Sequence, residues 1–264
     1  MKDSSIIEKC ISVVAYLFMI GLNILGNVLP LGGLTTGEIS DKYPSLISPA
    51  GYTFSIWGAV YILLFLFVVY QLGLIKNRNE KLMPELYSLI RILFVISSLC
   101  NAAWIIAWHY EYLALALMLS VIILICLILI NKHMYAEELS LAEKLFIRFP
   151  FGIYFSWISV ATVLNTTVLL VSIRWSGFGV SALIWSIIVI ILATLLTVVV
   201  SLKLRSIAYI VPVLWAFGGI MTKHLFQEEL QGKYPELIVT LIICSLLLLT
   251  EIFYVTYHKK SYEV

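Results

Sequence analysis

Residues 149–172 read FPFGIYFSWISVATVLNTTVLLVS, twenty-four positions without a single Asp, Glu, Lys or Arg. A bilayer core needs about 20 apolar residues per helix, so this stretch predicts a membrane span. Its polar atoms are hydroxyls, an indole and one amide, all of which a helix interior tolerates. Working outward, seven more apolar runs of comparable length appear, at 9–31, 52–75, 86–108, 112–131, 179–200, 206–222 and 237–257. Lipid offers the backbone no hydrogen bonds, so such runs are read as helices rather than open strands.

Composition agrees. The chain of 264 residues is 62% hydrophobic and only 12% charged, against roughly a quarter charged in a soluble domain. Mean hydropathy is +1.03. A net charge of +2 with no basic stripe excludes nucleic acid as an expected partner. The expected partner is the lipid bilayer. Cys10, Cys100, Cys126 and Cys244 lie in apolar runs without metal-ligand spacing and read as small core side chains.

Orientation follows from the cations. With eight spans and a cytoplasmic N-terminus, only Lys42, Arg174, Lys223 and Lys233 fall outside. The other thirteen of the 17 Lys and Arg fall inside, Lys76, Arg78, Lys81 and Arg91 among them. Both termini are then cytoplasmic. Two outer connections, 32–50 and 223–236, are long. The first is rich in Gly, Thr, Ser and Pro and is expected to be irregular. Pro212, Gly218 and Gly219 predict a bent, closely packed seventh helix.

Chemistry-bearing residues are few. Glu251 is the one carboxylate within a span. Two readings stand: a helix-paired carboxylate, or a proton or cation site. His109 and Glu111 are expected at the membrane interface. No nucleophile elbow, phosphate loop, zinc motif or pair of catalytic carboxylates is visible.

Trp and Asn instead follow helical spacing. Trp57 and Tyr61 share a face of the second span, four apart. Asn101, Trp104 and Trp108 follow i, i+3, i+7 on the third. Trp157, Ala161 and Asn165 follow i, i+4, i+8 on the fifth. Trp108 and Trp175 suit a lipid-facing aromatic belt; Trp157, eight positions into its span, does not. Trp57 lies roughly 8 Å below the outer end at about 1.5 Å per residue, and the other faces reach similar depths. Two readings stand here also: an aromatic cavity for a flat apolar ligand, with Ala161 leaving room, or helix packing with Asn as glue.

The same residues resemble the TspO/MBR family, the tryptophan-rich sensory proteins and the translocator protein, also called the peripheral benzodiazepine receptor. Trp57-Gly-Ala-Val-Tyr61, preceded by Pro49 and Phe54, looks like that family's second helix. Leu99-Cys-Asn101-Ala-Ala-Trp104 looks like its third, and Trp157-Ile-Ser-Val-Ala161-Thr162-Val-Leu164-Asn165 like its fifth. The resemblance covers residues 10–172. The resemblance implies a five-helix transmembrane bundle over residues 1–175, with a three-helix extension over 176–264. It implies a ligand pocket capped by the first loop and lined by Trp57, Tyr61, Asn101, Trp104, Trp157, Ala161 and Asn165.

The resemblance further implies a sensor, receptor or carrier for porphyrins or other tetrapyrroles in a bacterial cytoplasmic membrane. No cofactor is required, and a homodimer is the implied assembly. Light-driven porphyrin breakdown has been proposed for some bacterial members, but the residues read as a binding protein rather than an enzyme. Departures from the pattern are plain. Gly51 and Tyr52 stand where the family usually carries a further Trp. Val168 to Arg174 lacks the Tyr of the sterol-type stretch, so sterol binding is not carried over. The competing function is a secondary transporter or permease subunit using Glu251 and the C-terminal helices.

Overall fold

The computed structural model describes residues 2–28, 31–75 and 81–261, leaving aside the side chains of 2–5 and 258–261. Lys76 and Arg78, and the side chains of Lys2, Lys259 and Lys260, therefore lie outside what is described. The helices are α1 (Lys2–Val28), α2 (Thr36–Asp41), α3 (Ile56–Gln71), α4 (Pro84–His109), α5 (Leu113–Tyr135), α6 (Leu141–Glu143), α7 (Phe149–Ser172), α8 (Ala182–Leu204), α9 (Ile210–Phe226) and α10 (Pro235–Ser261). Among the described residues there is no strand, and eight helical stretches are long and apolar enough to cross a membrane. The protein is an all-α polytopic membrane protein.

Helix ends follow local chemistry. Pro84 opens α4, where its missing N–H costs nothing. Thr35 and Glu38 form a capping box on α2, so the loop expected to be irregular contains a short, well-capped helix. Ser140 and Glu143 form a second box at α6. The fifth span starts there, earlier than residue 149. Pro150, which cannot donate to Phe146 O, does not interrupt it. The turn Lys144–Arg148 widens to π geometry, Phe149 N–H bonds to Lys144 O, and the helix runs on unbroken into α7. Pro212 falls in the opening turn of α9, where few helical bonds are at stake.

The apolar core has two clusters. One is built chiefly from α1, α3, α4, α5 and α7, with Ala216 added from α9 and Ala208 and Tyr209 from its lead-in. The other joins α8, α9 and α10 with Ile47 of the first loop. Ser156 Oγ–H donates to Tyr209 O at 2.6 Å, and Tyr209 O–H donates to Ser159 Oγ at 2.8 Å, pinning the second group to α7.

Three placements differ from expectation. Arg91, counted with the inner loop, is buried two turns into α4. Its Nη1 is 3.4 Å from Glu8 Oε2 on α1, and its Nε–H donates to Gln71 Oε1 of α3 at 3.2 Å. Long side chains let three helices share one compensated charge inside the bundle. Trp108 does not face outward from the bundle, and His109 beside it is covered too. Both are buried, because the α1–α3 loop folds over the end of α4. Cys10 is exposed and Cys100 half-buried; Cys126 and Cys244 are buried as expected.

Candidate ligand-binding site

A short 3₁₀ turn, Gly51–Ser55, leads into α3 and places Trp57 on its first turn. The helical spacing of four then stacks Tyr61 on it, with ring centroids 5.4 Å apart and planes 20° apart. Trp57 meets Trp104 of α4 at 5.8 Å, and Trp157 and Tyr154 of α7 at 6.1 and 6.3 Å. The Trp157 plane stands at 89° to that of Trp57. Trp108 stacks on Trp104 at 5.6 Å. One indole therefore touches four rings from three helices, at separations typical of favourable aromatic pairs.

A chain of uncharged hydrogen bonds borders these rings. Asn101 Oδ1 accepts from Asn23 Nδ2–H of α1 at 2.8 Å and from Tyr61 O–H at 3.4 Å. Asn101 Nδ2–H donates to Tyr154 O–H at 3.4 Å. Four helices thus meet at one amide. Trp104 Nε1–H donates to Asn165 Oδ1 at 3.2 Å, and Asn165 Nδ2–H returns to Ala161 O at 2.7 Å. Tyr16 O–H donates to Tyr61 O at 3.0 Å.

All seven residues singled out in the sequence gather in this region, Tyr61 half-buried and the others buried. Sequence reasoning missed Asn23, Tyr16 and Tyr154. Tyr154 was findable: it precedes Trp157 by three and shares its face with Ala161 and Asn165. Asn23 carried a weaker signal, a lone amide inside an apolar run.

Trp157 is fully buried, and its Nε1–H has no partner among the described residues. A buried donor left unpaired costs about 1–3 kcal/mol. The site therefore holds aromatic faces on several sides, neutral amides at its edge and one unspent donor. Among the described residues, no three His, Cys, Asp or Glu side chains come together as metal donors.

Above the rings, Trp108 Nε1–H donates to Thr36 O at the start of α2. Glu111 receives Lys42 Nζ at 2.5 Å and Tyr43 O–H at 2.6 Å. The Lys42 and Tyr43 bonds hold the Glu111 carboxyl below its ordinary value, and the bond to Glu111 pushes the Tyr43 hydroxyl up to about 12. Glu251 lies elsewhere, on α10, where Ser201 Oγ–H of α8 donates to its Oε1 at 3.1 Å.

Searches of curated proteins and of solved structures returned no match. The profile of the family described as TSPO-like protein aligns with residues 9–254, beyond the last of the aromatic motifs and through α8, α9 and most of α10, and with that match over nearly its whole length the chain belongs to the TSPO-like protein family.

Proposed function

We propose that the aromatic cluster is a binding site for a flat, largely apolar ligand, with a porphyrin or other tetrapyrrole as the ligand class. The protein then serves as a membrane receptor, sensor or carrier, with both termini cytoplasmic in a bacterial inner membrane. Residues 1–175 form the binding unit and 176–264 its extension. The observation that carries this reading is Trp57 among four rings beside the unpaired Trp157 N–H. Family membership supports it.

The rings pack on one another in this arrangement. A ligand enters by exchanging ring–ring contacts for ring–ligand contacts of the same kind, so the exchange is energetically mild. A planar macrocycle offers large π faces and ring nitrogens that accept a hydrogen bond. Pairing Trp157 Nε1–H with such an acceptor removes the penalty of the empty donor. Trp57, Tyr61, Trp104 and Trp157 supply faces, Asn101 and Asn165 hold those faces in register, and Ala161 keeps the α7 wall low.

The test is a dark titration of purified protein with protoporphyrin, followed by Trp fluorescence, for wild type and Trp157→Phe. Saturable binding that weakens about tenfold in the variant supports the reading, a loss equal to 1.4 kcal/mol. Equal affinity in the two proteins, or none in folded wild type, overturns it.

A further inference from the structure

One face of α9 carries Trp215, Gly219, Thr222 and Lys223, spaced i, i+4, i+7, i+8. Each of these residues meets the first loop. Trp215 Nε1–H donates to Thr53 O at 2.8 Å, and its ring meets the edge of Tyr52 at 5.6 Å. Gly219 O accepts from Ala50 N–H at 3.1 Å. Thr222 Oγ1 and Tyr52 O–H share a hydrogen bond at 3.1 Å. Lys223 Nζ is 2.6 Å from Asp41 Oδ1, with the Lys side chain only 10% exposed. His224 Nε2–H adds a bond to Leu46 O at 2.9 Å.

The closeness is built into the sequence. A Cβ on Gly219 would stand 2.0 Å from Thr53 Oγ1 and 3.0 Å from both Thr53 Cβ and Pro49 Cβ. Only Gly lets the two backbones approach this far. Ala50 and Thr53 are bracketed by these bonds, and Thr53 precedes Trp57 by one helical turn. Position along a stiff helix is inherited from its first turn. Whatever holds Ala50 and Thr53 holds the Trp57 ring against Trp104 and Trp157.

We propose that the α9 face Trp215–Gly219–Thr222–Lys223 is a positioning latch for the aromatic site. It grips residues 41–53, fixes the entry of α3 and so sets Trp57, and ligand exchange requires the latch to part. The role of the latch at the ligand site rests on the tetrapyrrole reading; its grip on the loop does not. The bonds are of a kind suited to parting: two single N–H···O bonds, one hydroxyl pair and one ion pair open to water on the Asp41 side. The Asp41 carboxylate, half exposed, can exchange its partner for water with little net cost.

The experiment uses the full chain in lipid nanodiscs with two readouts. The first is hydrogen exchange of the segment 46–57, with α5 as internal reference. The second is the rate of protoporphyrin association and dissociation in the dark. Variants are Trp215→Phe, which keeps a ring beside Tyr52 and drops the N–H, Lys223→Asp, and the exchange pair Lys223→Asp with Asp41→Lys. Lys81→Ala, at the opposite end of the bundle, is the control. Expected are about fivefold faster exchange at 46–57 in Trp215→Phe and Lys223→Asp, with α5 unchanged. Association and dissociation should both speed up while Kd moves less, and the exchange pair should recover the wild-type rates. Unchanged exchange at 46–57 overturns the latch. Faster exchange with unchanged ligand rates overturns its role at the site. Should wild type bind no porphyrin, the ligand reading falls, and the exchange readout alone decides whether α9 holds the loop.

Discussion

Trp104 Nε1–H donates to Asn165 Oδ1 at 3.2 Å, and the same Asn165 amide donates back to Ala161 O at 2.7 Å. The pair ties α4 to α7 beside the aromatic rings and leaves neither polar group unmet. Replacing Asn165 by Leu strands the indole N–H in an apolar interior, at a cost of about 1–3 kcal/mol. The double variant Trp104→Phe/Asn165→Leu removes both partners and should be less destabilised than the sum of the single variants. Thermal melts in detergent check this; strictly additive losses would contradict the coupling.

Asn101 serves three partners on three other helices: Asn23, Tyr61 and Tyr154. Interhelical bonds in membranes average about 0.6 kcal/mol each. Asn101→Leu should therefore cost about 2 kcal/mol, and Asn23→Leu clearly less. Unfolding titrations in mixed micelles rank the two, and the reverse order would remove Asn101 from the centre of the network.

Two ion pairs of similar composition should behave unlike each other. Arg91 is 7% exposed and Glu8 24%, whereas Lys81 and Glu138 are 50% and 92% exposed. Breaking the inner pair with Glu8→Gln leaves a buried guanidinium half-compensated by Gln71, and should cost about 2 kcal/mol. Lys81→Ala should cost less than about 1 kcal/mol. Comparable losses in the two melts would mean that Arg91 reaches water.

The attachment of the first loop at Glu111 should depend on pH at both extremes. Glu111 is held below its ordinary value of 4.5, so its contribution is complete above that value and is lost as pH falls through the lowered one. Tyr43 is raised from 10.0 to about 12, so its contribution is complete below 10.0 and is lost as pH climbs through about 12. The stability gap between wild type and Glu111→Gln should be flat near neutrality and shrink in acid. The gap to Tyr43→Phe should shrink in acid as well, because the Tyr43 bond helps to lower Glu111, and again in strong base. A gap that changes between pH 6 and 8 would point to another group.

Periodicity found the faces but not what faces them. Trp57 with Tyr61, Asn101 with Trp104, and Trp157 with Asn165 each lie on one helix at turn spacing, which a single sequence displays. Their meeting needed only depth and span direction. Asn23 bonds to a residue 78 positions away, and nothing local to it announces that partner. Trp108 looked lipid-facing because it stands near a helix end. Its burial comes from a loop, whose path no helical pattern encodes. Arg91 sits near the inner boundary, where a long side chain usually reaches out to water; here Glu8 and Gln71 draw it inward. Gly219 read as a packing residue, correctly, yet its partners Pro49 and Thr53 lie more than 160 residues upstream, at the close of the first loop and the start of the second span.

The hub at Asn101 is an amide, and its partners are an amide and two phenols. A membrane potential performs work on net charge, about 2.3 kcal/mol per elementary charge per 100 mV. Neutral groups offer it almost nothing to act on. The junction of α1, α3, α4 and α7 at Asn101 is therefore electrically silent: a change in membrane potential does almost no direct work on it.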